Sequence, residues 1–188
     1  MIDSPMPTRA EVTDVANAVF EQADAIMLSG ETTVGKYPVK CIEVFNRIAE
    51  RIERSGGANF YEHAELTQAR QKVVKSAVVM ANELKAEAIL VFTRHGSMAR
   101  FTGWLRPRYS KIYGLCARDN IARGLSLSWG VTPMVIPFDM INPQNTIESA
   151  LKILIEEGRL KKGNTVVIIG SILVGDQIVD AVQMRVLS

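Results

Sequence analysis

The sequence predicts an α/β protein whose mostly parallel, five-stranded sheet is covered on both faces by helices. Three observations predict it. Segments of helical periodicity alternate with short apolar runs along residues 66–188. The runs AILVF, VTPMVIP and TVVIIG are nearly continuous in apolar residues, as strands buried on both faces are. Only the last run, AVQMRVL, alternates apolar with polar residues. The chain has 188 residues, 47% hydrophobic and 22% charged, enough for a sizeable core.

In chain order, Val12, Val15, Ala16 and Val19 stand at helical spacing, and Thr8 with Glu11 forms a capping box, so a first helix starts there. Ala25–Leu28 reads as a short buried strand. From Pro38, a residue suited to a first helical turn, Ile42, Phe45, Ile48 and Ile52 recur every three or four positions. The weakly structured SGGAN (Ser55–Asn59) and the polar run to Glu65 mark a boundary. Beyond it, a helix over 66–85 precedes the strand Ala88–Phe92, and a helix over 97–105 precedes KIYGLC. A helix over 120–128 precedes VTPMVIP, and one over 146–157 precedes TVVIIG and ends near Gly158. The alternation of AVQMRVL suits an edge strand, a position that permits an antiparallel run.

The net charge of +2, with Lys and Arg scattered through the helices, argues against nucleic acid or a membrane as the main partner and leaves small anions. No apolar run is long enough to cross a bilayer, and the first residues do not read as a signal peptide. Cys41 and Cys116 lie far apart without metal-ligand spacing and read as core thiols, so the expected setting is the reducing cytoplasm.

A single helix-strand-helix piece cannot bury both faces of its strand without neighbouring strands. The stretch PTRAEVTDVANAVFEQADAIMLSGETTVGKYP (Pro7–Pro38) closely resembles the segment with which pyruvate kinases close their (β/α)8 barrel. RP, WGVTP and GRLKKGNTVVIIG then follow in the order of that family's C-terminal domain. The resemblance implies that residues 1–56 are a remnant of the catalytic barrel and 57–65 a linker. Residues 66–188 become the C-terminal domain, a three-layer α/β/α sandwich that binds regulators and helps assemble a homotetramer.

The whole enzyme so implied moves a phosphoryl group from phosphoenolpyruvate to ADP with the help of Mg2+ and K+. In the family its catalytic lysine, two metal-binding carboxylates and a threonine near the enolpyruvate carbon precede the stretch that matches here. Thr8 is not that threonine. The expectation is therefore a truncated piece, inactive alone, with no metal site and none of these ions bound. Arg9 stands where the resemblance implies a barrel-to-barrel contact, although its position alone suggests a solvated arginine. The exposed edge of Ala25–Leu28 is expected to drive association, to dimers at least.

Two candidate sites follow. A strand followed by SGE puts Ser29 and Glu31 at the carboxyl end of a barrel strand, where barrel active sites sit. The resemblance implies a supporting or proton-relay role for the pair; pattern alone equally allows a solvated turn. In VFTRHGSMAR, Thr93, Arg94, His95, Gly96 and Ser97 join a strand to a helix. Helix-opening amides, two hydroxyls and a cation suit a phosphate, and the alternative is an ordinary connecting loop. The family's similar loop holds a phosphate of a regulatory sugar, but here His95 replaces a serine and Met98 a second hydroxyl.

RHG also mimics the histidine phosphatases, which need a second, downstream histidine. None follows His95, and His63 lies upstream, so that reading is rejected. The stretch GSILVGDQIVD, with Asp176 and Asp180 and no Lys or Arg, reads as an acidic loop that would repel a second phosphate, so at best a monophosphate or inorganic anion is expected. Trp104 and Trp129 read as core or interface aromatics. A free-standing phosphometabolite sensor is the alternative function.

Overall fold

The computed structural model describes residues 1–139, 141–174 and 177–188, which divide into two units, Met1–Ala64 and Glu65–Ser188. In the first unit, helix α1 (Arg9–Phe20) starts at the expected capping box: the Glu11 amide donates to the Thr8 hydroxyl at 3.2 Å, and the Thr8 amide donates to the Glu11 carboxylate at 2.7 Å. A single turn, α2 (Gly30–Thr33), leads to α3 (Pro38–Glu53), which has proline in its first turn and packs against α1. A 3-10 turn over Phe60–Glu62 ends the unit.

The strand expected at Ala25–Leu28 is absent. Residues 25–29 form no ladder, Ala25 is exposed and Met27 is 83% exposed. A strand exists only where a neighbour takes up its N–H and C=O groups, and this unit has no other strand among the described residues. Residues just after Gly57, expected in a linker, are tied to the end of α1: Ala58 donates to the Phe20 carbonyl at 2.9 Å, and Phe60 donates to Gln22 Oε1 at 3.3 Å.

The second unit alternates helix and strand as expected. Its helices are α4 (Ala69–Glu83), α5 (Ser97–Trp104), α6 (Asp119–Leu125) and α7 (Pro143–Glu156). Its strands are β1 (Ala88–Phe92), β2 (Lys111–Cys116), β3 (Val131–Val135), β4 (Thr165–Val174) and β5 (Gln177–Val186). They form one five-stranded sheet in the order β3-β2-β1-β4-β5, parallel except for the antiparallel β4-β5 pair.

Alternation along the strands sorts the core. Leu90, Tyr113, Leu115 and Ile168 pack with Ile147, Leu151 and Leu154 of α7 on one face. On the other face Gly114 lies against Ala99 of α5 and Leu125 of α6. A Cβ on Gly103 would come within 2.8 Å of the Trp129 carbonyl oxygen, so glycine there lets α5 seat closely on its neighbour.

The presumed acidic loop GSILVGDQIVD is a finding against the sequence reading. β1 pairs with β4 only over Val166–Ile169, yet β4 and β5 stay in register from Thr165 opposite Val186 to Val174 opposite Gln177. Each strand supplies the other's backbone partners, so the ribbon extends past the sheet with no further strand beside it among the described residues. Asp176 lies outside the described residues.

Candidate anion-binding site

β1 lies where the strand order turns back, with β2 and β3 on one side and β4 on the other. Ligand crevices of such sheets open beyond the carboxyl ends of strands at that point. The loop leaving β1 is fixed by its own residues. Thr93, 4% exposed, donates its amide to the Leu115 carbonyl at 2.9 Å, and its hydroxyl accepts the Gly96 amide at 3.0 Å. Gly96 sits at φ +83°, where L-residues strain, and a Cβ there would also approach Leu125 to 3.3 Å. The chain then enters α5 at Ser97.

Thr93, Arg94, His95 and Ser97 line one side of a cavity of about 510 Å³, with Phe92 and Phe138 among its apolar walls. Those two rings lie 6.1 Å apart, tilted by 57°. The structure therefore brings the expected loop residues together on one cavity, with Gly96 as the buried hinge of the turn.

Further cations gather around the loop. Arg118, which precedes α6, places Nη2 3.4 Å from both the Arg94 carbonyl oxygen and His95 Nδ1. Arg100 Nη2 donates to the His95 carbonyl at 3.5 Å. Sequence reasoning missed both arginines, because what brings Arg118, just after β2, beside the loop is the pairing of β2 with β1 in the sheet. The carboxylates on or near the cavity are engaged. Asp180 accepts from Arg70 Nε and from the Ser171 hydroxyl, each at 3.0 Å. The Asn142 amide, the Asn145 side chain and the Ile141 amide hold the Asp139 carboxyl below its ordinary value. Asp180 is thus not the uncompensated repelling charge that the sequence suggested.

In the first unit Ser29 and Glu31 are also together, but within one self-contained turn. The Ser29 carbonyl accepts from the amides of Thr32 and Thr33, each at 3.2 Å. Its amide donates to the Glu31 carboxylate at 3.0 Å. Glu31's own amide and that of Ser29 hold its carboxyl below the usual range. Arg9 is exposed on α1. Trp104 is 50% exposed, its ring 5.1 Å from that of Phe101, and so is not a core residue. The Arg106 guanidinium lies 4.3 Å over Trp129.

Residues 71–182, more than half of the chain, match the family described as "Pyruvate kinase, alpha/beta domain", and residues 1–42 match "Pyruvate kinase, barrel domain". The chain belongs to the pyruvate kinase family. It is 36% identical over 175 residues to Pyruvate kinase 2 of Synechocystis sp., a match covering 93% of this chain and 29% of that relative. To Pyruvate kinase isozyme G, chloroplastic, of Ricinus communis it is 40% identical over 174 residues, covering 91% of this chain and 41% of that relative. A solved pyruvate kinase from Cryptosporidium parvum superposes on the whole chain with a TM-score of 0.84 at 28% identity, over 38% of its own length. The chain thus spans well under half the length of these pyruvate kinases.

Among the described residues no group of three or more His, Cys, Asp or Glu side chains is placed to hold a metal ion, and the Glu31 carboxylate accepts the Ser29 amide. No described helix is long and apolar enough to cross a membrane.

Proposed function

We propose that this chain supplies the C-terminal, regulatory and oligomer-forming part of a pyruvate kinase. The parent enzyme transfers a phosphoryl group from phosphoenolpyruvate to ADP, giving pyruvate and ATP with Mg2+ and K+. The observation that carries this reading is the match of residues 71–182 to the alpha/beta domain, together with superposition of the whole chain on one pyruvate kinase. In this proposal the loop Thr93–Ser97 holds the anionic group of a phosphorylated effector. Ser29 and Glu31 support the substrate site of the parent, Arg9 contacts a neighbouring subunit, and the assembled parent is a homotetramer. Both cysteines are buried and unpaired, in keeping with the cytoplasm.

Phosphoryl transfer of this kind relies almost wholly on positioning and metal electrostatics. The 188-residue polypeptide is therefore expected to form no pyruvate above a protein-free control when given phosphoenolpyruvate, ADP, Mg2+ and K+. Turnover above that control would overturn the division of labour proposed. A free-standing phosphometabolite sensor is favoured by one observation, the anion-suited cavity carried entirely by the second unit.

A further inference from the structure

β5 is the outermost strand of the sheet, and among the described residues its one ladder partner is β4. A strand with a free edge gains any further hold from its two faces. Asp180 and Arg185 stand five residues apart where the register with β4 is unbroken, so their side chains leave opposite faces.

On one face α4 packs against β4 and β5. There Asp180 accepts from Arg70 Nε, in the first turn of α4, and from the Ser171 hydroxyl of β4, each at 3.0 Å. On the other face Arg185 stands opposite Val166, which belongs to the core under α7. Its guanidinium donates to Glu148 at 2.8 Å and to Gln144 at 3.0 Å, both on α7, and to Gln183 of β5 at 3.1 Å. Gln144 donates in turn to Glu148 at 2.6 Å. The side chains that β5 contributes are shielded, Asp180 at 21% and Arg185 at 25% exposure, while their partners on the helices reach the surface.

We propose that β5 is a strap that couples the start of α4 to the start of α7 across the sheet. An opening of the Arg70–Asp180 pair frees the strand on one face, and the strand passes that freedom to the Arg185 fork on the other. Arg70, Ser171 and Gln183 line the cavity described above, and so do Pro143 and Thr146 of α7. The strap thereby holds these walls in one arrangement, independently of what the cavity takes up. Both ion pairs are partly exposed, so the coupling is a few-fold effect on a local opening equilibrium.

Amide hydrogen exchange on the full chain tests the link. Arg70→Met keeps a long side chain and removes its charge. Amides of residues 147–150 in α7 are then expected to exchange about two- to fivefold faster, although Arg70 bonds to the opposite face of β5, while β1 stays unchanged. Coupling is reciprocal, so Arg185→Gln should speed exchange at Val73 and Val74 of α4 by a similar factor. With both substitutions, α7 should exchange no faster than in Arg185→Gln alone, because the link is already cut.

Faster exchange confined to α4 and β5 in Arg70→Met would overturn the strap. So would an equal acceleration of β1, which would report a loss of global stability instead of a local link. Additive acceleration of α7 in the double variant would also overturn it, by showing that the two ion pairs act independently.

Discussion

The two units are built from equally clear local signals but reach very different degrees of burial. In the first, the capping box of α1 and the proline opening α3 set helices where the sequence expects them, yet Cys41 is the one buried apolar residue among those described. Met6, Met27, Val34 and Val39 are each more than 70% exposed. In the second, Leu90, Leu115, Leu154 and Ile169 are at 0% exposure around the sheet. Helix signals are satisfied within one turn of chain, whereas a core needs a second layer to close over it.

The largest effect that would sharpen this contrast is expected from Leu154→Ala. It empties a fully buried site against the sheet and should cost about 2–5 kcal/mol, read from the urea midpoint. Phe45→Ala on the half-buried face of α3 should cost less than half as much. A loss equal to that of Leu154→Ala would mean that the first unit holds a cooperative core after all.

An intermediate effect is expected from Thr8→Ala, which removes the side-chain half of the capping box and should cost α1 about 1 kcal/mol. Amide hydrogen exchange should locate the loss in α1 and leave β1 and β2 unchanged. Faster exchange throughout the sheet would contradict a first unit held mainly by local bonds.

The smallest effect concerns acid. Because folding lowers the Asp139 carboxyl below its ordinary value, its contribution is complete above the ordinary carboxylate range and disappears as pH falls through the lowered value. On acidification below about pH 5, the unmodified chain should lose stability more steeply than Asp139→Asn. Parallel slopes would show that the amides of Ile141 and Asn142 gain nothing from the negative charge.

The elements of the second unit were largely legible because helix and buried strand differ in period, and continuous apolar runs imply cover on both faces. Ala25–Leu28 failed by the same logic. Four apolar residues specify burial, but a strand needs another strand, and the described residues of that unit contain none. The loop Thr93–Ser97 was legible as a strand-to-helix turn suited to an anion, whereas Arg118 and Arg100 were not placed there, since no local pattern tells which distant side chain returns to a given loop.

By itself, the sequence determined the alternation of helices and strands, the α1 cap, the strand-to-helix loop Thr93–Ser97 and the resemblance to the pyruvate kinases. Only the tertiary structure decided that Arg70 neutralises Asp180, that the described residues of GSILVGDQIVD pair as β4 and β5, and that Arg118 meets His95. The first set depends on interactions a few residues apart, which period and propensity encode directly. The second depends on which strands become neighbours, and the order β3-β2-β1-β4-β5 is fixed only when the whole sheet closes under its helices.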